Sequence, residues 1–136
     1  MKLMYKFLSI FMLAFLVTAC NSDVNTPENV SEKFITHFYA GDASAILKLI
    51  HIKDSDKTDD FEKLFVSKFE KMAQDAKKFA EKHNGLDKVE NIATDYTNDA
   101  KTSAMVNTKI TFKDGFTRNE KIPVIKIDNK WLIKLK

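Results

Sequence analysis

A single cysteine, two prolines and three glycines across 136 residues exclude a disulfide framework, a collagen-like repeat and a Pro/Gly-rich low-complexity chain. No glycine-rich phosphate loop and no Ser-His-Asp arrangement is present. His37, His51 and His83 are far apart in sequence and share no i, i+4 spacing, so no zinc site is expected. The length suits one domain, which at this size buries about two-thirds of the surface its unfolded chain exposes. A core can therefore form without metal or cross-link.

The one long hydrophobic run lies at the start. Lys2 and Lys6 precede Phe7 to Val17 (FLSIFMLAFLV), which only Ser9 interrupts. A bilayer span needs about twenty apolar residues, so this stretch is too short to cross and suits the apolar segment of a signal peptide. It ends in Val17-Thr18-Ala19-Cys20, and Cys20 is the only cysteine of the chain. These residues resemble the lipobox of bacterial lipoproteins: a branched aliphatic, two small residues, then the cysteine that receives diacylglycerol. The resemblance implies removal of residues 1–19, acylation of Cys20 and a lipid-anchored protein of the cell envelope. In a Gram-negative cell the non-acidic Asn21 points to the outer membrane, facing the periplasm. The alternative is an ordinary secretory peptide with an incidental cysteine, which would leave an unpaired thiol in a secreted protein.

Without residues 1–19 the chain keeps 20 basic and 19 acidic side chains, a net +1. The overall basic balance is thus no nucleic-acid signature. Asn21 to Asn25 is a polar tether of at most about 17 Å when extended, and residues 26–136 form the folded domain.

The hydrophobic period changes once, near Gly85. Thr26-Pro27-Glu28 reads as a helix N-cap followed by proline in the first turn, with Val30, Phe34, Ile35 and Phe38 at helical spacing and Gly41 as the stop. Asp42 caps a short second helix in which Ile46, Leu49 and Ile50 share a face, and His51 to Lys57 reads as a polar connection. Asp59-Asp60-Phe61-Glu62 has the capping-box spacing. A third helix follows, in which Phe61, Leu64, Phe65, Phe69, Met72, Ala73, Ala76, Phe79 and Ala80 hold one stripe until Asn84-Gly85. The stripe is expected to be core rather than a membrane-binding face, because a sheet follows that needs covering.

Four strands are expected after Gly85. Val89 to Tyr96 is followed by the turn Thr97 to Ala100, and Val106, Thr108, Ile110 and Phe112 then alternate with Met105, Asn107, Lys109 and Thr111. Asp114-Gly115 signals a hairpin into Phe116 to Ile127, where Pro123 requires an edge or a bulge. Asp128-Asn129 turns the chain into Lys130 to Leu135. The expected architecture is α+β, three N-terminal helices packed on a curved four-stranded antiparallel sheet.

Phe34 to Asp42 (FITHFYAGD) opening the domain, and Val124 to Ile133 (VIKIDNKWLI) closing it with Lys130-Trp131, resemble the nuclear transport factor 2-like, or cystatin-like, superfamily, and within it small bacterial lipoproteins. The resemblance implies a cone-shaped domain with a cavity between sheet and long helix. Some branches of that superfamily run isomerase or dehydratase chemistry there and others only bind, so the fold assigns no function.

Phe38, Tyr39, Phe65, Phe112 and Trp131 are the candidates for the cavity lining or a partner surface, with Cys20 the lipidation site. No catalytic constellation, metal or cofactor is expected. Asp95 and Tyr96, adjacent on a strand, point to opposite faces and cannot act together. Lysines on the solvent faces, interspersed with acids, read as a solvated surface or as attraction to anionic envelope components. The leading expectation is a non-enzymatic envelope binding module for a small apolar ligand or a protein partner, with immunity or inhibition as a special case. The alternative is an isomerase- or hydratase-like enzyme using Tyr39 and an acid, which two or more ionisable groups converging in the cavity would favour.

The lipobox makes a direct prediction. Cys20→Ala should abolish incorporation of a labelled fatty acid and release the protein from the membrane fraction; labelling that persists in the variant contradicts the assignment.

Overall fold

The computed structural model describes residues 25–135. Cys20, the signal segment and the tether before Asn25 lie outside those residues. Helix α1 (Pro27–Ala40) begins as its sequence directs: the Thr26 hydroxyl accepts from the Asn29 N–H at 3.1 Å and Pro27 occupies the first turn. It ends at Gly41 (φ +75°), whose N–H donates to the Phe38 carbonyl. The Asp42 carboxylate then caps the short α2 (Ala43–Leu47) by accepting from the Ala45 N–H.

Helix α3 (Asp59–Lys82) differs from the expected capping box. Its N-cap is Thr58, whose hydroxyl accepts from the Phe61 N–H, and Asp59, Asp60 and Glu62 instead place negative charge in the first turn, where the helix dipole favours it. The apolar stripe is also only partly core. Phe69, Ala73, Ala76 and Ala80 are buried, but Phe61 (36%), Leu64 (71%) and Met72 (44%) remain exposed. The helix packs mainly on α1 and α2, so its N-terminal turns have little to lie against. Asn84 and Gly85 both adopt positive φ and end it, with the Gly85 N–H bonded to the Ala80 carbonyl at 2.7 Å.

The sheet has five strands and is mixed, where four antiparallel strands are expected from the alternation. The four strands β2 (Leu86–Tyr96), β3 (Ser103–Phe112), β4 (Thr117–Ile127) and β5 (Lys130–Lys134) form an antiparallel meander. The fifth, β1 (Ile50–His51), pairs parallel to β5 through Ile50↔Ile133 and His51↔Lys134, giving the order β1-β5-β4-β3-β2. Two residues carry no alternation that could announce a strand. The pairing forms because the chain leaving α2 runs along the open edge of β5, where the Leu49 carbonyl accepts the Ile133 N–H at 2.7 Å. Ile50 therefore belongs to the sheet and not to the face of the second helix. Within the expected polar connection, Asp54–Asp56 forms a 3₁₀ turn.

Pro123 stands in β4, an inner strand, in regular register with Met105 of β3 and not at the sheet edge or bulge expected. Lys126 donates its N–H to Thr102 on the β3 side, and alternate residues of a strand point the same way. The nitrogen of Pro123 therefore faces the β5 side, where the ladder has already ended at Val124↔Ile133, and no ladder bond is lost.

The core sits between α1 and the sheet. Ile46, Val106, Ile110, Phe112 and Val124 are fully enclosed, and among them the hydroxyls of Ser31 and Thr108 meet at 3.3 Å. At the other end of the sheet Asn25 clasps β5, its Oδ1 accepting the Trp131 N–H at 2.6 Å and its Nδ2 donating to the Trp131 carbonyl at 3.3 Å.

At Gly41 the backbone conformation favours glycine. A Cβ there would meet the Lys77 side chain at 2.9 Å, which a flexible lysine can relieve, but the left-handed backbone cannot relax. Gly41→Ala is expected to lower unfolding free energy by about 1–2 kcal/mol and Gly41→Asn by less, measured by urea denaturation.

Candidate functional site

Where α1 and α3 diverge above the sheet, a cleft of about 400 Å³ remains open. Its floor is made by Ile35, Ala76, Ile110 and Ile122, and Phe34, Phe38 and Phe79 wall it. The helical spacing that puts Phe34 and Phe38 on one side of α1 also stacks their rings at 5.8 Å. Behind them Tyr39 meets Phe112 edge-on at 5.2 Å and Phe79 at 6.4 Å.

Four ionisable side chains reach the same cleft: Tyr39, Asp75, Arg118 and Glu120. Arg118, the only arginine of the chain, comes from the first turn of β4 after the hairpin. Its guanidinium lies over the Phe79 ring, 5.5 Å from the centroid, and its Nη2 is 2.7 Å from Glu120 Oε1. Both members of this ion pair are about two-fifths exposed, so it marks the mouth and not the floor, and contributes little to stability. Burial pushes the Tyr39 phenol above its ordinary pKa, an effect partly offset by the positive Arg118 beside it. Asp75, on the exposed side of α3, has no ion-pair partner among the described residues.

Of the candidates read from the sequence, Phe38 and Tyr39 line this cleft and Phe112 supports it from behind. Phe65 lies elsewhere, in a second groove beside β1. Trp131 is buried at the clasped end of β5, with its nearest aromatic neighbour Tyr96 at 6.3 Å. Asp95 and Tyr96 are both exposed and outside the cleft. Arg118 and Glu120 escape a reading of the sequence because they flank a hairpin as two ordinary surface charges. Their i, i+2 spacing on a strand, which puts both on one face, was the available signal.

His83 lies outside the cleft lining. Its Nδ1 is 2.6 Å from Asp114 Oδ2, and its ring stacks on Phe116 at 4.4 Å, tying the β3–β4 turn to the end of α3. The Phe116 N–H and then His83 hold the Asp114 carboxyl below its usual range. Among the described residues no group of histidine, cysteine and acidic side chains could hold a metal ion, and no helix is long and apolar enough to cross a membrane.

A family model described as Domain of unknown function (DUF4878) matches residues 18–134. No curated protein matches the chain. Among solved structures, a Campylobacter jejuni protein named as a candidate NTF2-like transpeptidase superposes with a TM-score of 0.74 at 21% identity, over 82% of this chain and 99% of that one. The fold is therefore NTF2-like: α+β, with three helices and an open five-stranded mixed sheet.

The buried phenol sets an alkaline limit. Folding holds Tyr39 neutral, so its contribution is intact below the ordinary tyrosine value of about 10 and is lost as pH rises through the higher folded value. The unfolding free energy should fall as pH rises from about 10 through the folded value, and that of Tyr39→Phe should fall less steeply over the same range; parallel curves for the two proteins count against this.

Proposed function

Since the chain belongs to the family described as domain of unknown function DUF4878, which assigns no activity, we propose its role from the cleft and the lipobox together. It is a lipid-anchored envelope protein that binds, without transforming it, a small molecule with an apolar body and a polar end. The observation that carries this reading is the cleft itself: an apolar floor and aromatic walls, with charge confined to the mouth at Asp75, Arg118 and Glu120. Its volume is in the range of small-molecule sites. An apolar body gains burial on the floor while the polar end finds donors and acceptors at the rim. Anchoring through Cys20, with sorting to the outer membrane of a Gram-negative cell, belongs to the same proposal.

The name of the Campylobacter protein suggests acyl transfer, but the cleft lining contains no serine, threonine or cysteine, the usual nucleophiles of that chemistry. A second reading, isomerase or hydratase chemistry, draws on the convergence of Tyr39, Asp75, Arg118 and Glu120 in one cleft, the arrangement expected to favour an enzyme. The binding reading is preferred because Glu120 is ion-paired at the mouth and Asp75 is exposed there, whereas a carboxyl tuned for proton abstraction from carbon sits in an apolar, water-poor site.

Native mass spectrometry of the protein purified from its own envelope in mild detergent should show a bound small molecule. Met72→Trp, which fills the exposed mouth without touching the core, should reduce that species severalfold. Bare protein from both preparations counts against the binding module. Recovery of two interconverting ligand species, collapsing to one in Glu120→Gln, would establish the enzyme instead.

A further inference from the structure

A second groove, on the opposite edge of the sheet, has the chemistry of a different ligand. It lies between β1, the 3₁₀ turn, the first two turns of α3 and the end of β5, and encloses about 470 Å³. Its walls are Ile52, Phe61, Phe65, Ile125 and Leu135. Phe61 and Phe65 stack at 5.5 Å, and Phe65 meets Phe69 at 4.7 Å, so an aromatic rail runs from solvent into the core. Exposure of Phe61 at the N-terminus of α3 leaves apolar area uncovered at the rim.

The charge around this groove is unlike that of the cleft. Lys53, Lys134 and the imidazole of His51 border it. Neither lysine has an ion-pair partner among the described residues. The neighbouring Asp54 is already engaged by Lys57 at 2.8 Å, and Asp56 is the one acid in the lining. His51 and Lys134 are cross-strand partners in the β1–β5 pair, which holds two of the three nitrogen side chains on adjacent strands. Lys53 and Lys134, without an ion-pair partner among the described residues, outnumber the single Asp56 of the lining; beside an apolar wall they attract an anion attached to a hydrocarbon chain, because the stems pack on the chain while the heads reach its charge.

We propose that this groove is a second binding site, for a single-chain anionic amphiphile whose carboxylate or phosphate is held by Lys53 and Lys134. It is independent of the cleft between α1 and α3.

The test is a titration of the full-length protein in phosphatidylcholine nanodiscs, followed by isoleucine methyl NMR. Dodecanoate, dodecyl phosphate and dodecyltrimethylammonium are added separately below their micellar concentrations. The methyls of Ile52 and Ile125 report the groove, and those of Ile110 and Ile122 the cleft. Both anions should shift Ile52 and Ile125, with the cation weaker by about fivefold or more. Lys53→Gln/Lys134→Gln should remove that preference while leaving the remaining methyl spectrum unchanged. Tighter binding of the phosphate would identify a phosphomonoester head, and tighter binding of the carboxylate a free fatty acid; either supports the site. Equal binding of the cation, shifts confined to Ile110 and Ile122, or no shift at Ile52 and Ile125 overturns it, and only silence at Ile110 and Ile122 as well bears on the cleft.

Discussion

The path of α1 across the sheet sets the rest of the structure, and it is held by the contact between Ser31 and Thr108. These are the two buried polar residues of the core, and each hydroxyl is satisfied by the other at 3.3 Å. The net worth of such a bond is about 1 kcal/mol, but leaving either hydroxyl alone in that place costs about 1–3 kcal/mol. A shift of α1 along β3 by one turn would incur that cost, so the pair fixes a register that apolar contacts alone would leave loose. With the register set, Ile35 and Tyr39 fall over Ile110 and Phe112, and Phe34 and Phe38 are left facing outward along the cleft.

The cleft is a consequence of that placement and of the small residues on α3. Ala73, Ala76 and Ala80 are buried against α1, where larger side chains would fill the space; Ala76 itself forms part of the floor. Toward the hairpin, Phe79 takes over from the alanines. There it meets Tyr39, Phe112 and Phe116 and carries Arg118 on its face. The cleft thus grades from aliphatic floor to aromatic wall to charged mouth. This gradient favours a molecule with one apolar and one polar end.

The two concavities differ in how they treat charge. At the cleft Arg118 and Glu120 neutralise each other and Asp75 is the one charge at the mouth without an ion-pair partner among the described residues. At the groove beside β1 the lysines keep their charge available. The groove is bordered by β1, the 3₁₀ turn and the start of α3, where Phe61 and Phe65 are only partly covered.

Much of this was legible in the sequence because it is local. The Thr26 cap with Pro27, the stop at Gly41, the Asp42 cap and the alternation of Val106 to Phe112 depend on residues within a few positions of one another. So do the turns at Asp114-Gly115 and Asp128-Asn129, where Asp128 and Asn129 both take the positive φ that the turn demands. The aromatic character of the cleft at Phe38 and Tyr39 followed from the same helical period. The parts that required the tertiary structure are pairings between distant residues. β1 exists because β5 offers an open edge more than eighty residues later in the chain, and Arg118 joins Tyr39 and Phe79 only when the hairpin folds over α1 and α3. Phe61, Leu64 and Met72 carry the same helical period as Phe69 and Ala73, yet they remain partly exposed. Periodicity specifies which side of a helix is apolar, and only the neighbouring elements decide how much of that side has anything to lie against.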